Sequence, residues 1–378
     1  MLLFAILALG ILTMWVPTRW ALTAFELAIL AGAVWQLLKN RLHFQPSIAL
    51  LAAVIGWGGA QWLAGWSVDA FRTQEELLNW TVRLAAFAWA LSLDGHTRHR
   101  LLTASVWLAA ALAVLGMLTY FSSPPGTVFW TVDAGTGIAT LGPFVYRNQF
   151  AAFMELLLPV ALFQAFTHPR SSWLYALAAG LMAASVVAAG SRTGAALCAA
   201  QLLLIPLLFA SRPSEENTRR KYTLGAVLAA VATLTLAVGW TRLAARFAEP
   251  NAYALRWDLS RSSWEMFLAR PLTGWGLGAW SSVYPGFAHY DDGTFVNQAH
   301  NEWAQWAAEG GILLFLLMLA FAERLIRPAF RSIWGLGALA VLLHAFVDYP
   351  FEQRPQLAVF FFVFFGLVLS SGRTPKHT

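Results

Sequence analysis

The chain has 378 residues, of which 58% are hydrophobic and only 12% charged, with a mean hydropathy of +0.59. A water-soluble globule carries about 25% charged residues, so this composition excludes one and leaves a membrane protein. The net charge of +6 comes without any nucleic-acid motif and reads as loop charge that sets membrane topology.

Segments of roughly 20 apolar residues recur along the whole length, enough for a helix to cross ~30 Å of hydrocarbon with its backbone bonded internally. The ten-residue alternation of a membrane barrel is absent. Leu2 to Val16 has no basic residues before it and no small-residue cleavage site after it, so it is expected to be a retained first helix. Helices are then predicted over about residues 2–16, 20–38, 47–66, 76–93, 101–120, 149–167, 172–189, 193–210, 222–240, 302–322, 332–348 and 355–371. The expected fold is all-α: one polytopic transmembrane domain over residues 1–378, with about twelve crossings and one long outer loop over residues 241–301 between helices 9 and 10. Cys198, the sole cysteine, lies inside an apolar run, which excludes an internal disulfide and a thiolate metal cluster and points to packing.

With the amino terminus inside, fourteen of the 25 basic residues fall in short inner connections or the tail, as the positive-inside rule asks. The outer side then holds Arg19, Arg72, Arg147, Arg192, Arg242, Arg246, Arg256, Arg261, Arg270 and Arg354, all arginine and none lysine. A guanidinium is a planar fork of donors that matches phosphate oxygens and keeps its charge near lipid. That bias points to an anionic ligand on the outer face, with Arg19, Arg72 and Arg354 read as snorkelling to headgroups.

Within the loop, a short amphipathic helix is predicted from Tyr253 to Phe267, with Leu255, Leu259, Ser262 and Met266 on one face and Arg256, Ser260 and Ser263 beside it. The run Pro271 to Gly278 breaks it. No strand precedes these glycines, so they are not a dinucleotide fingerprint, and they are expected to let the backbone turn against the membrane surface. Asp291-Asp292-Gly293 reads as a solvated turn rather than a metal site. Trp275, Trp280, Trp303 and Trp306 are candidates for stacking on sugar rings.

His300 opens the helix that re-enters the membrane, flanked by Asn297 and Asn301; an imidazole there can take a proton near neutral pH or donate to a phosphate. Glu309, further along that helix in the apolar zone, is either a functional group or half of a buried ion pair. Arg192 sits in a turn of two or three residues, Gly190 to Gly194, where helix N–H groups and a guanidinium can hold an anion jointly. Arg147 and Asn148 stand at the outer start of another helix, and His344 with Asp348 reads as a second polar patch or, in preference, a helix–helix clasp.

Taken together, Gly190-Ser191-Arg192-Thr193-Gly194, Arg256-Trp257, Arg270 to Gly278, Ala299-His300-Asn301-Glu302-Trp303 and Glu309-Gly310-Gly311 resemble the O-antigen ligase and polymerase superfamily. Gly142-Pro143-Phe144 with Asn148, and the late His344 and Asp348, extend the resemblance to roughly residues 142–366. It implies a GT-C-like multi-pass protein of a bacterial inner membrane whose active site faces the periplasm. It implies transfer of a glycan from undecaprenyl diphosphate to lipid A core or a related glycan or protein acceptor, with no cofactor and no metal. By motif, Arg192, Arg256 and Arg147 would grip the diphosphate, His300 would bind donor or act as base, and Asn148, Asn301 and Glu309 would support them. O-antigen polymerase and protein O-oligosaccharyltransferase share this donor chemistry. A non-enzymatic transporter of lipid-linked glycan also needs outer arginines, but its site is expected at mid-membrane between broken helices.

Overall fold

The computed structural model describes residues 1–39, 45–135, 137–211, 217–249, 253–289, 293 and 295–371. Its helices in chain order are α1 (Leu2–Thr13), α2 (Arg19–Leu38), α3 (Pro46–Leu63), α4 (Ala70–Leu91), α5 (Gly95–Ser122), α6 (Arg147–Thr167), α7 (Ser172–Ala189), α8 (Arg192–Ala210), α9 (Asn217–Val238), α10 (Thr241–Ala248), α11 (Ala254–Ala269), α12 (Trp280–Val283), α13 (Glu302–Ser332), α14 (Leu336–His344) and α15 (Pro355–Ser371). Each of the twelve predicted segments contains a helix. Among the described residues, seven helices are long and apolar enough to cross a membrane: α2, α3, α5, α6, α7 with its leading turn, α8 and α9. α1 and α15 are apolar but short, and α4 and α13 carry more charged residues than those seven.

Starts of helices follow side-chain capping. Asp69, Asp94, Ser191 and Asn301 each accept a hydrogen bond from the amide three residues on, at 3.1, 2.8, 3.3 and 3.1 Å, closing a donor the helix leaves open. Packing is tightest between α7 and α9, where Gly180 lies against Ala230 and a side chain at 180 would stand 2.9 Å from its methyl. Small residues are how membrane helices gain dispersion contact, because lipid is as apolar as any side chain. Along α6 and α15 nearly every residue is buried, including Phe150, Phe153, Phe360, Phe361 and Phe362, so both are central pillars rather than amphipathic surface helices.

The connections segregate to two ends. At one, Arg354 donates to the Met14 carbonyl at 3.0 Å, the Val68 amide to Trp275 O at 3.0 Å, and Ser282 to Asp69 at 2.7 Å. At the other, Arg98 donates to Ser370 O at 3.1 Å and His99 stacks on His168. Arg354 of the outer set and Arg98 of the inner set thus sit at opposite ends of the bundle.

Several expectations change. The segment over residues 241–301 holds three helices, α10 to α12, but it is not the only long connection: Ser123 to Tyr146 is another, with a small hairpin pairing β1 (Thr127–Val128) to β2 (Val132–Asp133). α13 runs past residue 322 to Ser332 and breaks at Gly311, while α14 ends at His344 rather than 348. The three arginines read as snorkelling all have partners in the protein: Arg19 pairs with Glu75 at 3.1 Å, Arg72 with Asp69 at 3.5 Å, and Arg354 donates to the Met14 carbonyl.

The glycine run turns against protein rather than against the membrane surface. Gly274 (φ +65°) lies on the backbone of Glu309 and Gly310, and the amides of Trp275 and Gly276 bond the Ala308 and Glu309 carbonyls at 3.1 and 2.9 Å. The Ile312 amide, released by the break at Gly311, is taken by Pro271 O at 2.8 Å. This loop therefore repairs a broken helix. Gly274→Ala is expected to cost about 2–4 kcal/mol, from a left-handed backbone and from overlap with the Glu309 carbonyl. Thermal unfolding in detergent checks this against Gly56→Ala, where a methyl meets open space; equal melting temperatures would contradict the packing.

Candidate functional site

The site assembles at the first of these two ends around Asp348, in the connection between α14 and α15. Asp348 is 2% exposed. Its carboxylate accepts from Tyr146 Oη at 3.0 and 3.1 Å, from Asn148 Nδ2, from Arg256 Nη2 at 3.0 Å and from the Tyr349 amide at 2.9 Å. His300 Nδ1 faces it at 3.6 Å, an ion-pair distance when the imidazole is protonated. One carboxylate thus joins α6, α11 and the loop ahead of α13. Burial alone would raise its pKa, but the facing His300, then the Arg256 and His344 charges, outweigh that and hold it at about 2.

Two tyrosines wall this junction. Tyr146 and Tyr349 stack with centroids 5.1 Å apart at 2°, and the His300 ring meets Tyr349 edge-on at 4.7 Å. Burial, then the Asp348 charge, pushes both phenols above their usual range, so they remain neutral donors. His300 itself has φ +51°, a conformation that a histidine adopts at a cost. His300 Nδ1 is buried without a hydrogen-bond partner among the described residues, with Asp348 at 3.6 Å, and no hydrogen bond engages Nε2 either.

Arg192, 8% exposed at the start of α8, donates to Arg246 O at 3.1 Å and pairs with Glu249 at 3.7 Å. Its guanidinium lies 4.5 Å over the Tyr253 ring, and Arg256 lies 5.5 Å over the same ring. Ser191 donates to Asn148 Oδ1 at 2.9 Å, coupling the α7–α8 turn to the Asp348 junction. Arg147, partly exposed at the start of α6, is within electrostatic reach of Arg246, Arg256 and Glu249. Among the described residues four guanidiniums thus converge on two carboxylates, an arrangement suited to an anion.

Of the residues singled out from sequence, Arg147, Asn148, Arg192, Arg256 and His300 share this neighbourhood. Asn301 caps α13 directly beside it. Glu309 does not join them: its carboxylate accepts from the Gly278 and Trp280 amides at 3.0 and 3.3 Å and from Gln305 at 3.1 Å, which pins the glycine loop. Neither does it form an ion pair among the described residues. His344 serves as a helix–helix clasp, its Nδ1 meeting Glu155 of α6 at 3.0 Å, while Asp348 enters the site. Trp280, Trp303 and Trp306 are buried, and Arg270 lies 4.0 Å over one face of Trp275. Asp291 and Asp292 lie outside the described residues. Tyr146 and Tyr349 carry no spacing motif with His300, and Asp348, singled out from sequence beside His344 and within the family resemblance, is given no role in the site by sequence.

Residues 177–319 match the family model described as O-Antigen ligase, which supports placing the chain in the O-antigen ligase and polymerase superfamily. No curated protein matches the chain. The matched span contains Arg192, Arg256, His300, Asn301 and Glu309, whereas Arg147, Asn148 and Asp348 lie outside it.

Proposed function

We propose that this chain, through its O-antigen ligase domain, moves a glycan from undecaprenyl diphosphate to lipid A core or a related acceptor on the periplasmic face of a bacterial inner membrane. The observation that carries the reading is Asp348, which holds His300 and Arg256 on one carboxylate beside the Arg192 and Arg147 guanidiniums.

In the proposed reaction an acceptor hydroxyl attacks the sugar C1 as the bond from C1 to the diphosphate oxygen breaks, with inversion. The hydroxyl proton passes to His300 Nε2. Asp348 orients the ring and balances the imidazolium, as the carboxylate does in a nucleophile–histidine–aspartate triad. Arg192, Arg256 and Arg147 neutralise the charge that develops on the departing undecaprenyl diphosphate. A sugar diphosphate is already activated, so charge neutralisation and orientation are the larger tasks.

Arg192→Lys and Arg256→Lys each keep the charge but lose the fork, and each is expected to weaken undecaprenyl diphosphate binding about tenfold. Binding to purified protein in nanodiscs measures it; unchanged affinity in both variants removes the diphosphate assignment. Polymerase and protein O-glycosylation share the donor site, and a deletion strain distinguishes the three. Loss of capped core indicates ligase, loss of long chains polymerase, and loss of glycoprotein the third. Against a transporter of lipid-linked glycan stands the gathering of the polar residues at one end of the bundle.

A further inference from the structure

A polar cavity of about 410 Å3 opens on the same end as the Asp348 junction, between α4, the loop ahead of His300 and the start of α15. One wall comes from Glu76, Asn79 and Arg83 of α4, another from Asn297 and Gln298, and Glu352 completes it. Its volume lies within the range of ~300–1,000 Å3 typical of small-molecule sites. Arg83 is a basic residue in mid-helix with no topological role, and it is 1% exposed.

The charges here cancel. Arg83 donates to Glu76 at 2.8 Å, and Arg19 on the rim to Glu75 at 3.1 Å, so a diphosphate meets no surplus of positive charge, in contrast to the arginine cluster beside His300. Two buried polar atoms of residues lining the cavity have no hydrogen-bond partner among the described residues: Arg83 Nε, a donor, and Asn79 Oδ1, an acceptor. Leaving such atoms unmatched in a folded chain costs free energy. A hydroxyl group, which both accepts and donates, satisfies that pair. Neutral walls of mixed carboxylates, amides and guanidinium, with the exposed ring of Phe295 at the rim, fit a polyhydroxylated and uncharged ligand.

The loop that supplies Asn297 and Gln298 runs directly on to His300. We propose that this cavity binds the terminal sugars of the glycosyl acceptor and delivers one of their hydroxyls toward His300, an inference that rests on the transferase reading above. The donor's diphosphate and the acceptor's sugar then occupy opposite sides of one loop.

The test uses the full chain in nanodiscs with two probes: undecaprenyl-diphosphate-linked oligosaccharide as donor, and as acceptor a rough glycolipid together with the soluble oligosaccharide cleaved from it. Saturation-transfer NMR is expected to show contact between protein and soluble oligosaccharide, lost in Asn297→Ala and in Asn79→Ala. The acceptor concentration for half-maximal transfer is expected to rise about three- to tenfold in each, the scale of one uncharged hydrogen bond, while donor binding is unaltered. Phe295→Ala, at an exposed position, gives the same reading if the Asn79 variant fails to fold. A wild-type protein without sugar contact overturns the cavity proposal whatever the transfer result, as do acceptor titrations that coincide or a shift in donor affinity instead. Sugar contact without any transfer by the wild-type protein overturns the transferase reading and leaves the cavity as a glycan-binding site.

Discussion

Replacing His300 by alanine is expected to lower glycan transfer by roughly 10²–10⁴-fold, the contribution of a positioned general base, while undecaprenyl diphosphate still binds. The separation of the two effects follows from the geometry. His300 meets Asp348 through Nδ1, whereas the guanidiniums of Arg192 and Arg256 sit over Tyr253 on the other side of the junction. Removing the imidazole leaves Arg256 on Asp348 at 3.0 Å and Arg192 on the Arg246 carbonyl. Single-turnover transfer in nanodiscs, beside donor binding by the same preparation, measures both. A variant that transfers at the wild-type rate removes His300 as base, and one that loses donor affinity in proportion to rate makes it a donor ligand instead.

Replacing Asp348 is expected to do more damage, because its loss reaches three helices at once. Asp348→Ala strands Arg256 and the Asn148 amide at a buried position, and breaking a buried pair from one side costs about 3–5 kcal/mol. Asp348→Asn keeps the volume and isolates the charge: transfer is expected to fall on the order of 10²–10³-fold, since a neutral amide no longer balances an imidazolium. The pH dependence separates this variant from mere destabilisation. Folding lowers the Asp348 pKa to about 2 from the usual carboxylate value of about 4. The corresponding stabilisation, about 2.5 kcal/mol, is therefore fully present above pH ~4 and is lost as the pH falls toward 2. Unfolding midpoints of wild type and Asp348→Asn should differ at neutral pH and converge in acid. Parallel curves down to pH ~2 would show that the carboxylate carries no such charge coupling.

Much of the fold was legible because membrane helices are long, apolar and obliged to satisfy their own backbones, so hydropathy alone locates α2, α5, α6, α8 and α9. Arg192, Arg256 and His300 were legible for a related reason: a charge at a helix end opposite to the inner basic loops lacks a topological purpose. What composition does not report is which side chains meet. Asp348 sits in a turn of residues 345–354 that resembles any other connection, and only the folded chain brings Tyr146, Asn148, Arg256 and His300 to it. Arg83 escaped the charge argument because it belongs to neither set of loops. Glu309 misled because an intramembrane carboxylate is usually catalytic or ion-paired, whereas here backbone amides of a strained loop supply its partners.

The left-handed backbone at His300 carries one more implication. Glycine, or asparagine, fits φ +51° more easily than a histidine does, so the chain is less stable at this point than it need be. Selection for thermal robustness alone would drift away from imidazole here. Stabilised derivatives obtained by screening for heat resistance should accordingly be checked at residue 300 first, because that is where endurance and turnover pull in opposite directions.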